Sequence, residues 1–171
     1  MRLALRVTLI VLVLATGGVA LYLFWLQHSY LGEAENYSQI EDGLYMGGDV
    51  EKPPRGTNAV LNLCEKGDEY RCEIHRWEPI ADAEPVPSID WLRQMVEFVD
   101  SNRQAGRVVF VHCRNGVSRS GLVVTAFLMY KNRWPVEEAL TFIRTKRPEV
   151  RPNPAFKKLL SDWQRDLGIA R

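Results

Sequence analysis

The segment Val111-His112-Cys113-Arg114-Asn115-Gly116-Val117-Ser118-Arg119-Ser120-Gly121 gathers a thiol, two guanidiniums, two hydroxyls and a turn-forming glycine into one short loop. Before it, residues 107–111 are largely apolar and β-branched and read as a buried strand. After it, residues 122–130 read as a buried helix. A strand-to-helix loop turns backbone N–H groups and the positive end of the helix dipole toward whatever occupies it. Arg114, Asn115, Gly116, Val117, Ser118 and Arg119 would thus form an oxyanion cradle. The field that holds a phosphate there also lowers the pKa of a thiol at its base, so Cys113 is expected to be a thiolate nucleophile.

Five residues separate Cys113 from Arg119. That spacing lets the loop curl until the sulfur faces its centre and the Arg119 guanidinium closes the ring. Arg119 then grips two phosphate oxygens in a fork that lysine cannot form. Gly116 permits a turn that a side chain would obstruct. The Ser120 hydroxyl is placed to hydrogen-bond the sulfur and stabilise it as a leaving group. Taken alone, Cys113 would read as a small buried hydrophobe beside solvated arginines. The spacing, the glycine and the flanking elements together outweigh that reading.

A thiolate that attacks phosphorus needs a general acid for the departing oxygen, and the same group then serves as base toward water. Asp82 fits, in a loop stiffened by Pro85 and Pro87 between a strand and a helix. Glu84 is the alternative and Asp68 a more distant one; a solvated turn acid is the plain reading of any loop aspartate. His112, directly before the nucleophile, is expected to orient the loop by hydrogen bonding to backbone rather than to act as a base.

The elements that must position these groups alternate strand and helix. Residues 43–48, 57–64 and 73–80 read as strands. Ser88 caps a helix to about residue 104, with Ile89, Leu92, Met95, Val96 and Val99 on one face and Gly106 as its stop. Further helices are expected over 135–144, opened by Pro135, and over 156–167. The implied fold is α/β, a central mixed or parallel sheet with helices on both faces.

Composition bounds the rest. A chain of 171 residues with 46% hydrophobic and 25% charged content is one ordinary globular domain. A formal net charge of +1 gives no case for a nucleic-acid binder. The three cysteines, Cys64, Cys72 and Cys113, are too few for a disulfide scaffold. His28, His75 and His112 are scattered in the sequence without metal-ligand spacing, so no metal and no cofactor are expected. The lysines and arginines between Lys131 and Lys158 outnumber the acids there and could form a surface for anionic headgroups.

Residues 7–26 form an uncharged run long enough to span a bilayer, with Tyr22 and Trp25 at its far end. Residues 1–6 carry Arg2 and Arg6, whereas residues 27–42 carry four acids and no Lys or Arg. The charge bias predicts a single-pass anchor with the domain on the non-cytosolic side. A cleaved signal peptide ending near Gly18-Val19-Ala20 is the rival, and reduced-thiol chemistry favours a cytosolic setting. Residues 27–39 then read as a linker and 40–171 as the domain.

The loop sequence His-Cys-x5-Arg-Ser, in this setting, resembles the signature of the cysteine-based protein tyrosine phosphatase superfamily, in its small, atypical dual-specificity branch. The resemblance covers roughly residues 37–167. It implies a phosphate monoester hydrolase working through a phosphocysteine, with Cys113, Arg119, Asp82 and Ser120 as catalytic residues and Asn153 as a support of the loop. It also implies a redox role for Cys64, since some relatives carry a strand-end cysteine that pairs with the nucleophile under oxidation. An ordinary turn Asn153 and an ordinary buried Cys64 remain open. So short a domain implies a shallow site accepting phosphoserine, phosphothreonine and phosphotyrosine. The stretch Pro87-Ser88-Ile89-Asp90-Trp91-Leu92 and the anchor leave a phospholipid substrate, phosphatidylglycerophosphate-like or phosphoinositide, as the second reading. A non-catalytic phosphate-binding module is a third, disfavoured because Cys113, Arg119 and Asp82 are all present.

Overall fold

The computed structural model describes residues 35–170 together with Val19. The run expected to span a membrane lies outside the described residues except for Val19. Among the described residues no helix is long and apolar enough to cross a membrane.

Five strands follow one another as β1 (Tyr37–Glu41), β2 (Leu44–Gly47), β3 (Thr57–Asn62), β4 (Ile74–Trp77) and β5 (Val108–His112). Four helices complete the domain: α1 (Ile89–Gln104) between β4 and β5, then α2 (Arg119–Asn132), α3 (Val136–Lys146) and α4 (Pro154–Asp166). The sheet order is β1-β2-β5-β3-β4, with only the β1–β2 pair antiparallel. Residues 37–39, read from the sequence as the end of a linker, therefore belong to the sheet.

Because β2, β5, β3 and β4 are parallel, their C-terminal ends fall along one edge. Gly47 pairs with His112, His112 with Asn62, and Asn62 with Trp77. The loops that leave this edge are the ones that carry Cys113, Cys64, Asp82 and Gly48. In an open α/β sheet that edge is where a ligand binds.

The helices lie on one face of the sheet rather than on both, which corrects the sequence reading. Leu44, Met46, Ala59, Leu61, Val109 and Val111 share a single core with the buried faces of all four helices. Side chains of the opposite parity, Val60 and Phe110, are fully buried outside that core. Aromatic rings surround Phe110, which stacks on His112 with centroids 5.0 Å apart and meets Tyr37 edge-on at 6.0 Å. A strand such as Val108–His112 is apolar on both sides whether helices or rings cover its second face.

Helix α2 is the keystone. It is buried from Arg119 to Met129 because α1, α3, α4 and the sheet surround it, so it lacks the polar stripe of a surface helix. Truncating Leu128, fully buried in it, to alanine would cost ~2–5 kcal/mol. The other helices are amphipathic; α1 carries the Ser88 cap that the sequence indicates, and α4 a cap at Asn153 that it did not. Ser88 Oγ accepts the Trp91 N–H at 3.1 Å, and Asn153 Oδ1 accepts the Phe156 N–H at 2.8 Å.

Candidate active site

Cys113 leaves the end of β5 and lies 2% exposed at the floor of the loop. Its N–H donates to the Gly47 carbonyl at 3.2 Å. Burial raises its thiol pKa, but the Ser120 hydroxyl and the N–H groups of Ser120, Gly116 and Val117 outweigh burial and hold it below the ordinary thiol range. Ser120 Oγ stands 3.3 Å from the sulfur. The Cys113 sulfur and the Ser120 hydroxyl are thus brought together.

Gly116 adopts φ +68°, and a Cβ there would come within 2.6 Å of the Gly47 and Gly48 backbone. Only glycine fits so close an approach in the left-handed region. On this side the loop is laced to the end of β2, by a bridge between Gly48 and Asn115 and by the Asp49 N–H on the Arg114 carbonyl at 3.0 Å.

Arg119 opens α2 and is 5% exposed. Its Nη1 donates to Glu65 Oε1 at 2.8 Å, to the Ile80 carbonyl at 3.2 Å and to the Leu63 carbonyl at 3.4 Å. Three acceptors on one nitrogen fix the plane of the guanidinium. Its Nε is buried without any partner. A buried donor left unmade costs ~1–3 kcal/mol, and a phosphate oxygen in the cradle would satisfy it. Hydrogen bonding to Arg119 in turn holds the exposed Glu65 carboxyl below its usual range.

Asp82 stands over the cradle. Its Oδ1 accepts from Ser118 Oγ at 2.6 Å and from Asn153 Nδ2 at 2.8 Å, while the Asn153 N–H donates to Ser118 Oγ at 3.0 Å. Both side-chain bonds fall on Oδ1. Asn153 therefore holds Asp82 as well as capping α4. Beside this group opens a cavity of about 410 Å³ lined by Asp82, Val117, Ser118, Arg151, Asn153 and Lys157, among others. Asp68, the distant alternative acid, sits elsewhere, bonded to His75 at 2.8 Å and His112 at 3.2 Å.

That contact corrects one expectation. The His112 ring does not reach backbone: Nε2 donates to Asp68 Oδ2, the Tyr70 hydroxyl lies 3.3 Å from Nε2, and Cys64 Sγ lies 3.8 Å from Nδ1. His75 and His112, far apart in sequence, meet on one carboxylate. Asp49, Asp68 and His112 also bring ligand atoms within 4.8 Å of one another, the one such cluster among the described residues. Cys64 is a free, buried thiol, pushed up to about 12 by burial and by the negative charge of Cys113.

The sequence reading missed Arg147. Counted there among surface cations, it is buried, with Nε on the Gly116 carbonyl at 2.8 Å and Nη2 on Asn36 Oδ1 at 2.7 Å and the Asn115 carbonyl at 3.2 Å. It props the cradle from behind. Lys131 is likewise committed, to Glu41 at 2.7 Å, and Arg144 to the Val150 carbonyl at 3.0 Å, so the basic tail is not one continuous cationic face.

Comparison with known proteins agrees with this geometry. Protein phosphatase Slingshot homolog 3 of Rattus norvegicus is 30% identical over 146 residues, covering 84% of this chain and 21% of that protein. Dual specificity protein phosphatase 1 of Homo sapiens is 37% identical over 111 residues, 64% of this chain and 30% of its own. The chain thus spans only a minor part of the length of these relatives. It covers 93% of the putative tyrosine phosphatase 123R of Invertebrate iridescent virus 6, at 29% identity over 76% of this chain. Among solved structures, human DUSP28 superposes with a TM-score of 0.71 at 21% identity, covering 80% of this chain and 97% of that one. PTPMT1 in complex with PI(5)P gives 0.70 at 21%, covering 78% and 97%. One family model, the dual specificity phosphatase catalytic domain, matches residues 55–166. With everything from just before β3 to the last residue of α4 accounted for by that model, the chain belongs to the dual specificity phosphatase catalytic-domain family.

Proposed function

We propose that this protein hydrolyses phosphate monoesters on protein side chains, phosphotyrosine, phosphoserine and phosphothreonine, through a phosphocysteine at Cys113. One observation carries the reading: a sulfur whose pKa is lowered by Ser120 and the loop amides shares its ring with Arg119, whose buried Nε has no partner. In the first step the Cys113 thiolate attacks phosphorus, a P–S bond forms, the P–O bond to the substrate breaks, and Asp82 gives its proton to the departing oxygen. In the second, Asp82 takes a proton from water, the water oxygen attacks phosphorus, and the P–S bond breaks with its electrons returning to sulfur beside Ser120. The loop N–H groups and Arg119 bear the charge of the equatorial oxygens in both steps.

The test is turnover of para-nitrophenyl phosphate and of phosphopeptides, with Cys113→Ser as control. Hydrolysis surviving that substitution sinks the thiolate mechanism.

A phospholipid monoester is the second reading, supported by the apolar run at 7–26 and by the resemblance of residues 87–92 to phosphatidylglycerophosphate phosphatases. We propose with it that residues 7–26 anchor the domain to a membrane, on the non-cytosolic side by charge bias. Release of phosphate from phosphatidylglycerophosphate vesicles faster than from phosphopeptides would favour the lipid.

A further inference from the structure

Behind the nucleophile, on the sheet face away from the helices, lies a cluster that the two-step mechanism does not use. Asp68, on the β3–β4 loop, has a side chain only 1% exposed, and its Oδ2 receives His75 Nε2 at 2.8 Å and His112 Nε2 at 3.2 Å. Tyr70 and Asp49 close around the same point. Burial alone would raise the Asp68 carboxyl; the hydrogen bond and charge of His112, and those of His75, more than reverse it and keep it ionised. A desolvated carboxylate is costly unless it is held by partners in this way. The fully buried member of the cluster, His112, is the residue before Cys113. Its carbonyl accepts the Leu63 N–H at 2.9 Å, so the end of β5 is held through backbone on one side and through its ring on the other.

We propose that Asp68 is a positioning residue for Cys113. By fixing the His112 ring it sets where β5 ends, and hence where the sulfur sits relative to the N–H groups of Gly116, Val117 and Ser120. The inference rests on the phosphatase reading, in which those amides hold the thiolate.

Alkylation of Cys113 by iodoacetamide at pH 6, with kcat on para-nitrophenyl phosphate, tests it in the full-length protein, rates being normalised to folded protein by circular dichroism. Asp68→Ala should slow alkylation and turnover together by about tenfold, as expected for a tenfold smaller thiolate fraction. Asp68→Asn, which keeps an acceptor for His112 Nε2–H, should restore both to within about threefold of wild type. Alkylation of Asp68→Ala at the wild-type rate overturns the proposal. So does an Asp68→Asn variant as slow as Asp68→Ala, since charge rather than position would then be at work. Where Asp68→Ala does not fold, His75→Ala at its partly exposed site serves instead, with a slowing of about twofold expected and a wild-type rate overturning. Loss of wild-type turnover on chelation, restored by zinc, also overturns it, because Asp49, Asp68 and His112 would then be metal ligands. Wild-type protein that turns over no phosphoester fails the phosphatase reading itself, independently of the variants.

Discussion

Arg147 Nε donates to the Gly116 carbonyl at 2.8 Å, joining the last turn of α3 to the tightest point of the phosphate loop. The loop turns its N–H groups inward toward the sulfur, which leaves carbonyls pointing out; Arg147 collects those of Gly116 and Asn115. Its guanidinium also adds positive charge beneath the cradle, although burial lowers its own pKa.

Arg147→Met should therefore strand the two outward-pointing carbonyls of Gly116 and Asn115, each costing ~1–3 kcal/mol when left without a donor. A lower Tm together with a lower kcat/KM on para-nitrophenyl phosphate is expected. Arg147→Lys, which keeps the charge but not the fork, should recover only part of either. Wild-type kinetics in Arg147→Met would show that the loop holds its shape without this prop.

Asp82→Ala should lower kcat by roughly 10²–10⁴-fold, the range for a lost acid–base group, while inorganic phosphate still inhibits. Asn153→Asp separates the two roles of its residue. The cap on Phe156 survives, since aspartate caps as well as asparagine, whereas the Nδ2 donor to Asp82 is replaced by a like charge. Stability close to wild type with reduced kcat is the expected outcome; unchanged kcat would confine Asn153 to capping α4.

Glu65→Ala removes the charged partner of Arg119 Nη1 and leaves two backbone carbonyls to hold it. Glu65 itself is 66% exposed, so little stability should be lost. The effect belongs to the orientation of the guanidinium. Inhibition by inorganic phosphate should weaken by about tenfold, equivalent to ~1.4 kcal/mol, with Tm nearly constant. Phosphate inhibition as strong as in wild type would mean that the Leu63 and Ile80 carbonyls suffice.

What could be read in the sequence was what is contiguous in it. Cys113, Gly116, Arg119 and Ser120 share one loop, and its strand and helix follow directly from runs of apolar residues. Asp82 was within reach because prolines and the Ser88 cap mark its loop. Glu65, Asp68 and Arg147 act through the fold: β3 lies beside β5, and α3 returns over the loop, so residues 31 to 54 positions away in sequence meet it, and Asn36 reaches Arg147 from 111 positions away. Nothing in Glu65-Lys66-Gly67-Asp68 distinguishes the clamp of Arg119 from the anchor of His112. Strand β1, Tyr37–Glu41, escaped because an edge strand of mixed polarity carries no apolar period. That the helices share one face escaped for another reason, since rings bury the second side of β5 as completely as helices would.

The thiols give the last prediction, and its sign follows from their opposite shifts. Cys113 is an acid whose pKa lies below the ordinary thiol value, so its thiolate persists at pH values where a free cysteine is protonated, and it is lost only as pH falls through that lowered value. Activity should accordingly rise on the acid side of the profile through the Cys113 ionisation. Cys64, raised to about 12, and Cys72, raised by burial, stay protonated throughout. Iodoacetamide at pH 6 should therefore label Cys113 alone, and phosphate should protect it. Peroxide likewise attacks the thiolate first, giving a sulfenic acid at Cys113. Cys64, whose sulfur lies 3.8 Å from His112 Nδ1, could then expel that hydroxyl as water and form a disulfide. Peptide mapping after mild peroxide treatment should find a Cys64–Cys113 linkage that a reducing agent reverses with return of activity. Recovery of both cysteines unlinked, with Cys113 carried on to the sulfinic acid, would leave Cys64 a packing residue.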